Sequence, residues 1–363
     1  MGGIGYRLYK RVLLNNRMLI KERVPSLDGF RAFSIILVVV GHLAFPPALA
    51  KLHRYLELGG LGVRFFFVIS GFIITDLLIK EYKKAGTINL KNFYIRRILR
   101  IFPVYFTYIL VIYLIDLSFQ LHIAPMAYLS SCFFIQNFEL SNNVWLLAHT
   151  WSLSVEEQFY LIWPNLFKKV KLQNLFSFWA LIIVAGSIAR ILHYKYTAAS
   201  VYMGAPFIMH ADFIFSGCCL AILFNEKYDL VLSIIKKQNA FYVLLMIIAM
   251  WFLSLMEFHK DYDVLFIPTA GTMITLCICN LILYYVVKKD TWGFAILNNK
   301  IIIRIGQLSY SIYIWQQLFT SNLNWWITQF PQNIVLIALT AYISYTFIEM
   351  PINRLKSRYT TST

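Results

Sequence analysis

Long runs of apolar residues recur along almost the whole of this 363-residue chain. A helix that crosses the hydrocarbon core of a bilayer needs about 20 mainly apolar residues. Hydrophobic residues make up 59% of the sequence and charged residues only 14%, which excludes a soluble enzyme of ordinary composition. The pattern predicts an all-α membrane protein with about ten spans, near residues 30–50, 59–79, 101–118, 151–167, 175–192, 207–224, 239–256, 264–287, 308–323 and 333–351.

The positions of the basic residues orient these spans. The formal net charge is +16, from 33 Lys and Arg against 17 Asp and Glu. With ten spans and both termini in the cytoplasm, most of the basic residues fall on the cytoplasmic side, as the positive-inside rule requires. The charge therefore indicates topology rather than nucleic-acid binding. A shorter apolar stretch at 125–138 would reverse this arrangement if it crossed, so it is predicted to be re-entrant or interfacial.

Three parts of the chain are expected to differ in their relation to the bilayer. Residues 1–23 alternate basic and apolar side chains, which is typical of an amphipathic interfacial segment. No cleavage site follows the first apolar run, so a cleaved signal peptide is not expected. Residues 24–355 are predicted to form the transmembrane domain, and 356–363 a cytoplasmic tail.

Two ionisable residues share one face of the first span. Arg31 and His42 are eleven residues apart, which is three helical turns and about 16 Å. An arginine at the cytoplasmic edge suits a phosphate group, and a histidine near mid-membrane suits proton transfer. The alternative is structural, with Arg31 paired to Asp28 and the histidine satisfied inside the bundle.

A cluster of arginines precedes the third span. Arg96, Arg97 and Arg100 lie within five positions, and Arg96 and Arg100 share a helical face from which they could join Arg31 in binding a polyphosphate. The positive-inside rule alone would also account for such a cluster.

The fourth span carries a polar stripe. His149, Ser152, Glu156 and Tyr160 recur at helical spacing, and Trp151 lies among them. This face is predicted to contact an acceptor that enters from outside, with Glu156 orienting either the histidine or the acceptor. Packing and capping roles compete, although two adjacent glutamates in an apolar span are poorly explained by packing.

Later spans add polar candidates. Asp212 and Tyr310 are predicted to contact substrate, while Gln316 and Gln317 are compatible equally with interhelical contacts and with sugar binding. The sequence suggests no metal site.

These segments together resemble the membrane-bound acyltransferase 3 family, bacterial proteins that O-acylate extracytoplasmic carbohydrates. The stretch from Arg31 to His42 is similar to the family's R-x10-H motif. Further matching blocks occur in the family's order: FFFVISGFII (65–74), RRILRIFPVY (96–105), TWSLSVEEQFYLIWP (150–164), GQLSYSIYIW (306–315) and FIEMP (347–351).

The resemblance implies a ten-helix domain in the bacterial inner membrane, without the soluble SGNH-type domain that some members append. Acetyl-CoA would be the donor, with Arg31 and the 96–100 arginines near its phosphates and His42 as the catalytic histidine. The acceptor would be a carbohydrate or lipid-linked glycan. This chain departs from the family at His210-Ala211-Asp212, where many members have Arg-x-Asp, and at Trp315-Gln316, where many have Trp-His.

Two other functions remain open from the sequence. A transporter or flippase for a sugar or acyl metabolite could line its path with the same residues, although no internal repeat is evident between the two halves. The chain could also relay acyl groups to a separate transferase. Direct transfer and an acyl-histidine intermediate are equally compatible with the residues.

Overall fold

The computed structural model describes residues 24–43, 58–138, 144–169, 175–197, 206–256, 266–323, 325–356 and 359. Across these residues the chain is helical and contains no strand, so the predicted all-α class is confirmed. The predicted interfacial segment 1–23 lies outside the described residues. So do the end of the first predicted span after residue 43 and most of the predicted tail.

The described residues of the first half form seven α-helices. They are α1 (Pro25–His42), α2 (Leu58–Ala85), α3 (Leu90–Phe119), α4 (Pro125–Cys132), α5 (Trp145–Ala148), α6 (Thr150–Lys169) and α7 (Leu175–Thr197).

Within the part of the second half that the structure describes, there are eight more. They are α8 (Ile208–Glu226), α9 (Tyr228–Lys237), α10 (Ala240–Met256), α11 (Phe266–Val287), α12 (Trp292–Leu297), α13 (Lys300–Phe319), α14 (Gln332–Ser344) and α15 (Met350–Lys356), the last two joined by a π-helical turn at Tyr345–Glu349.

Six helices of the described residues are long and apolar enough to cross a membrane, and a seventh span results if α9 and α10, which meet at a bend of 95°, are counted together. The chain is therefore a multi-pass membrane protein, with fewer spans by this criterion than the ten predicted. Each of the other three predicted spans coincides with a helix, namely α1, α6 and α13. These three carry the polar residues that converge inside the bundle, and polar residues lower the hydropathy of a helix.

The segment 125–138 forms two short elements. Helix α4 has 8 residues and is followed by a single 3₁₀ turn at Gln136–Phe138. An 8-residue helix is about 12 Å long, far less than the roughly 30 Å of a hydrocarbon core. The Tyr105 hydroxyl on α3 donates to the Ser131 carbonyl at 2.8 Å, which fixes α4 against the bundle. The segment does not form a spanning helix, and whether it is re-entrant or interfacial stays a prediction.

Glycines bring the central helices into backbone contact. A Cβ atom on Gly71 of α2 would lie 1.9 Å from the Ile214 carbonyl oxygen of α8, and one on Gly217 of α8 would lie 2.0 Å from the Val68 oxygen. Neither position can hold a larger side chain without separating the helices, which is the small-residue packing typical of membrane bundles. The close α2–α8 pair forms a wall beside the site.

Candidate functional site

A cavity of about 580 Å³ opens among α1, α2, α3, α6 and α13. Residues 27–31 near the start of α1, 97–101 in the first half of α3 and 63–80 of α2 line it. The cavity therefore extends from the end of the bundle where α1 and α3 begin and α2 ends toward the middle of α2. Its polar lining residues are Asp28, Arg31, Ser70, Asp76, Lys80, Arg97, Arg100, Ser152, Glu156, Tyr160, Ser309, Tyr310 and Tyr313.

Three arginines from two helices converge on this cavity. Arg31 comes from α1, and Arg97 and Arg100 from the first turns of α3. The Arg97 guanidinium lies over the Tyr160 ring, 5.1 Å from its centroid. Lys80 also lines the cavity, where it pairs with Asp76 at 2.7 Å. Guanidinium groups gathered in this way suit a ligand with several anionic oxygens.

Arg96 lies apart from the other arginines. Its guanidinium pairs with Glu81 at 3.0 Å and donates to the Tyr359 carbonyl at 2.8 Å, and Arg96 is not among the residues that line the cavity. The pair that shares the cavity is Arg97 and Arg100, three residues apart, rather than the expected Arg96 and Arg100.

The predicted polar stripe, with His149 just before α6 and the other residues on it, divides between the cavity and the protein interior. Ser152, Glu156 and Tyr160 line the cavity, whereas His149 and Trp151 do not. Both Glu156 carboxylate oxygens are engaged, one by the Ser70 hydroxyl at 2.8 Å and the other by the Tyr160 hydroxyl at 3.2 Å. Glu156 therefore has fixed partners on α2 and α6. Ser70 was not among the candidate residues identified from the sequence.

His42 lies beyond the inner end of the cavity. Its Nδ1 atom is 3.1 Å from Gln316 Oε1, and its ring meets Trp145 edge to face at 5.5 Å. Its Nε2 atom faces Gly59, where an added Cβ would approach it to 3.7 Å. The cavity extends along α2 as far as Val63. Val63 is about one helical turn after Gly59, the residue that His42 faces, so the cavity stops about one turn short of the histidine.

Tyr313 occupies the space between the cavity and the buried His149. Its hydroxyl donates to the His149 carbonyl at 3.0 Å and is bonded to the Ser152 hydroxyl. The Phe66 ring packs against the Tyr313 ring at 6.1 Å. The His149 ring packs against both Tyr108 and Tyr313 and is 3% exposed. These contacts close the cavity on the side of His149.

Asp212 forms a buried ion pair away from the cavity. Its two carboxylate oxygens accept from Arg190 of α7 at 2.9 and 3.0 Å, and Thr272 of α11 donates to one of them at 2.7 Å. The Trp151 ring lies 5.0 Å from the ring of His210, which is two residues before Asp212 on α8. The structure thus brings Trp151 together with the Asp212 region rather than with the cavity.

Tyr310 lines the cavity, and its hydroxyl donates to the Ile101 carbonyl at 2.7 Å.

Two residues beside His42, Gln316 and Trp145, were not assigned to it from sequence. The signal that could have drawn attention to Gln316 is an amide inside an apolar run. Among the described residues, no group of three or more His, Cys, Asp or Glu side chains is arranged to hold a metal ion.

The sequence of the chain matches a known protein family. The model of an acyltransferase domain, that of the acyltransferase 3 family, matches residues 24–350. Two curated relatives, from Staphylococcus aureus strains NCTC 8325 / PS 47 and COL, bear the name O-acetyltransferase OatA. Each is 30% identical to this chain over 359 residues, an alignment that covers 91% of this chain. The chain spans only 57% of the length of these relatives.

Proposed function

The chain belongs to the acyltransferase 3 family, and from this premise we propose that it is a membrane O-acetyltransferase. It moves the acetyl group of cytoplasmic acetyl-CoA to a hydroxyl of an extracytoplasmic carbohydrate, either free or linked to lipid. The proposal includes ten spans in the bacterial inner membrane, with both termini in the cytoplasm.

The observation that carries the proposal is the cavity in which Arg31, Arg97 and Arg100 meet at one end of the bundle and which leads toward His42. Coenzyme A combines several phosphate groups with a long, thin pantetheine arm. The arginines suit the phosphates. Arg31 and His42 are eleven residues apart on α1, about 16 Å, a distance that the extended arm can cross to deliver its thioester near the histidine.

His42 acts as the general base in this mechanism. Its Nε2 atom takes the proton of the acceptor hydroxyl as the oxygen attacks the thioester carbonyl carbon. The carbon–sulfur bond then breaks, and the departing thiolate takes the same proton from the imidazolium. The products are the O-acetylated sugar and free coenzyme A. The base and both substrates are held in place beforehand, which removes much of the entropic cost of bringing them together.

The acceptor approaches from the end of the bundle where α1 ends and α2 begins. His42 lies at that end, beside Trp145 and Gly59. An aromatic ring next to the reacting position offers an apolar surface to a sugar ring. Glu156 is held by Ser70 and Tyr160 within the cavity, so we assign it to shaping the donor side.

The test uses the full chain reconstituted in proteoliposomes with radiolabelled acetyl-CoA, and in parallel a deletion strain whose surface glycan is examined by mass spectrometry. The wild type is expected to restore O-acetylation, and His42→Ala is expected to lower it at least 100-fold, the lower end of what a general base contributes. Normal O-acetylation in the His42→Ala strain would refute the role of His42.

The same assay separates the remaining alternatives. Covalent label on the wild type in the absence of acceptor, lost in His42→Ala, would indicate an acyl-histidine intermediate rather than direct transfer. Label that reaches glycan only when a second protein is added would indicate that the chain is an acyl relay rather than the transferase itself. Movement of intact acetyl-CoA or sugar across the vesicle, without acetyl transfer, would indicate a transporter.

A further inference from the structure

A line of side-chain amides connects His42 to the protein backbone. His42 Nδ1 lies 3.1 Å from Gln316 Oε1, and Gln316 Nε2 donates to Gln317 Oε1 at 2.9 Å. Gln317 Nε2 in turn donates to the Trp145 carbonyl oxygen at 2.8 Å. Gln316 is 0% exposed and Gln317 2% exposed, so neither amide can easily exchange its partners with water.

The direction of this line is fixed at its backbone end. A carbonyl oxygen can only accept a hydrogen bond, so Gln317 must present its NH₂ group to Trp145. The Gln317 oxygen then faces Gln316 and requires the NH₂ group of that residue. Gln316 is left with its oxygen toward His42, and an amide oxygen can only accept. The hydrogen must therefore be on Nδ1 of the histidine.

We propose that Gln316 and Gln317 are positioning residues that hold neutral His42 in the tautomer protonated at Nδ1, so that the lone pair is on Nε2. Which ring nitrogen of a histidine carries its proton is set by the hydrogen bond that the other nitrogen makes. The ring position is also fixed, because the same Trp145 whose carbonyl ends the line packs its indole against the imidazole.

This assignment rests on the proposed function and deepens it. A base can take a proton only through a nitrogen that carries a lone pair, and an imidazole free in water favours protonation at Nε2. Without the two glutamines, His42 would largely present N–H where the acceptor hydroxyl must give up its proton. The amide line therefore selects the reactive form of the histidine without adding a charged partner inside the membrane.

The experiment compares three variants and a matched control in the full chain. Gln316→Met and Gln317→Met keep side-chain length but break the line, whereas Gln316→Glu retains an oxygen that accepts from Nδ1. Gln238→Met is the control, since Gln238 and Asn280 form a reciprocal amide pair elsewhere in the bundle, at 2.8 and 3.2 Å. Steady-state acetyl transfer in proteoliposomes gives kcat and KM for each protein.

The second measurement is the tautomer itself. Nitrogen-15 spectra of histidine-labelled protein in lipid nanodiscs distinguish a protonated from an unprotonated ring nitrogen, and the His42 signals are assigned by their loss in His42→Gln. In the wild type we expect Nδ1 to be protonated. In Gln316→Met and Gln317→Met we expect a shift toward protonation at Nε2, with kcat lower by up to about 100-fold, the lower end of what a general base contributes, and an unchanged KM for acetyl-CoA.

The remaining variants distinguish positioning from packing. Gln316→Glu should keep the Nδ1–H tautomer and retain more activity than Gln316→Met, whereas a residue that only fills space would give both variants similar losses. Gln238→Met should match the wild type in both measurements.

Two results would overturn the proposal. One is a wild-type His42 protonated at Nε2. The other is Gln316→Met and Gln317→Met proteins whose tautomer and kcat equal those of Gln238→Met. Failure of the proposed function gives a different result. An active His42→Ala protein would show that His42 is not the base, whereas the nitrogen-15 spectra report separately whether the glutamines set its tautomer.

Discussion

At the scale of single residues, two neighbouring arginines have different surroundings. Arg97 lines the cavity with its guanidinium over the Tyr160 ring, whereas Arg96 pairs with Glu81 outside the cavity. The sequence identified the cluster, but which arginine faces inward depends on the position of Glu81 on another helix. Helical spacing alone allows both the 96/100 and the 97/100 faces.

We expect Arg97→Ala to raise the KM for acetyl-CoA by about tenfold or more, since a hydrogen bond to a charged group contributes about 1.5–3 kcal/mol. Arg96→Ala should raise this KM less, because its guanidinium is bound to Glu81 and Tyr359. Steady-state kinetics at varied donor concentration measure the difference. An equal effect of both substitutions would place Arg96 at the donor as well.

The sequence identified most of the cavity residues but not the partner of His42. The residues singled out from sequence that line the cavity are Arg31, Arg97, Arg100, Ser152, Glu156, Tyr160 and Tyr310. Gln316 was recognised as polar but not as the partner of His42, which is 274 positions away in the chain. Such a contact follows from the packing of α13 against α1, and no local pattern encodes it.

At the scale of helices, the ion pair between Arg190 and Asp212 joins α7 to α8. Both side chains are almost fully buried, at 4% and 1% exposure. The sequence predicted Asp212 as a substrate contact because it is an acid within an apolar span. Its partner lies on the preceding helix, and only the packing of the two helices identifies it.

Asp212→Asn is expected to destabilise the protein strongly, because removing one member of a buried pair leaves an uncompensated charge, at a cost of about 3–5 kcal/mol. Glu226→Gln is the matched control, since the exposed pair of Glu226 with Lys83 should contribute about 1 kcal/mol or less. Thermal unfolding in detergent compares the two proteins. An Asp212→Asn protein that unfolds like the wild type but has a raised KM for the acceptor would instead support substrate contact.

Helix positions were more predictable than helix partners. Each of the ten predicted spans overlaps a helix of the described residues, the first of them as far as His42, because apolar runs of membrane length form helices wherever they insert. The sharp bend between α9 and α10 and the π-helical turn before α15 were not predicted. Hydropathy reports how long and how apolar a run is, and it carries no signal for either feature.

At the scale of the whole molecule, the arrangement of the helices relative to the membrane can be tested directly. The arginine end of the cavity lies near the α2–α3 connection, and the far end of α3 lies near residue 120. In the proposed topology the first of these faces the cytoplasm and the second faces outward, because the basic residues collect on the inner side.

A membrane-impermeant thiol reagent applied to intact cells should label Gln120→Cys and leave Lys84→Cys unlabelled until the cells are opened. The unmodified chain is the control, because its described cysteines are buried or partly buried within helices. Labelling of Lys84→Cys in intact cells would reverse the orientation and with it the side from which acetyl-CoA enters.

The contact of Tyr313 with Ser152 and the His149 backbone has a consequence for the cell as a whole. A water-filled passage running from one membrane face to the other would let protons leak and discharge the gradient that drives cellular work. The Tyr313 ring lies between the cavity and His149 and closes the cavity on that side. If the chain transfers an acetyl group across the membrane as proposed, this closure would let it do so without opening a path for ions.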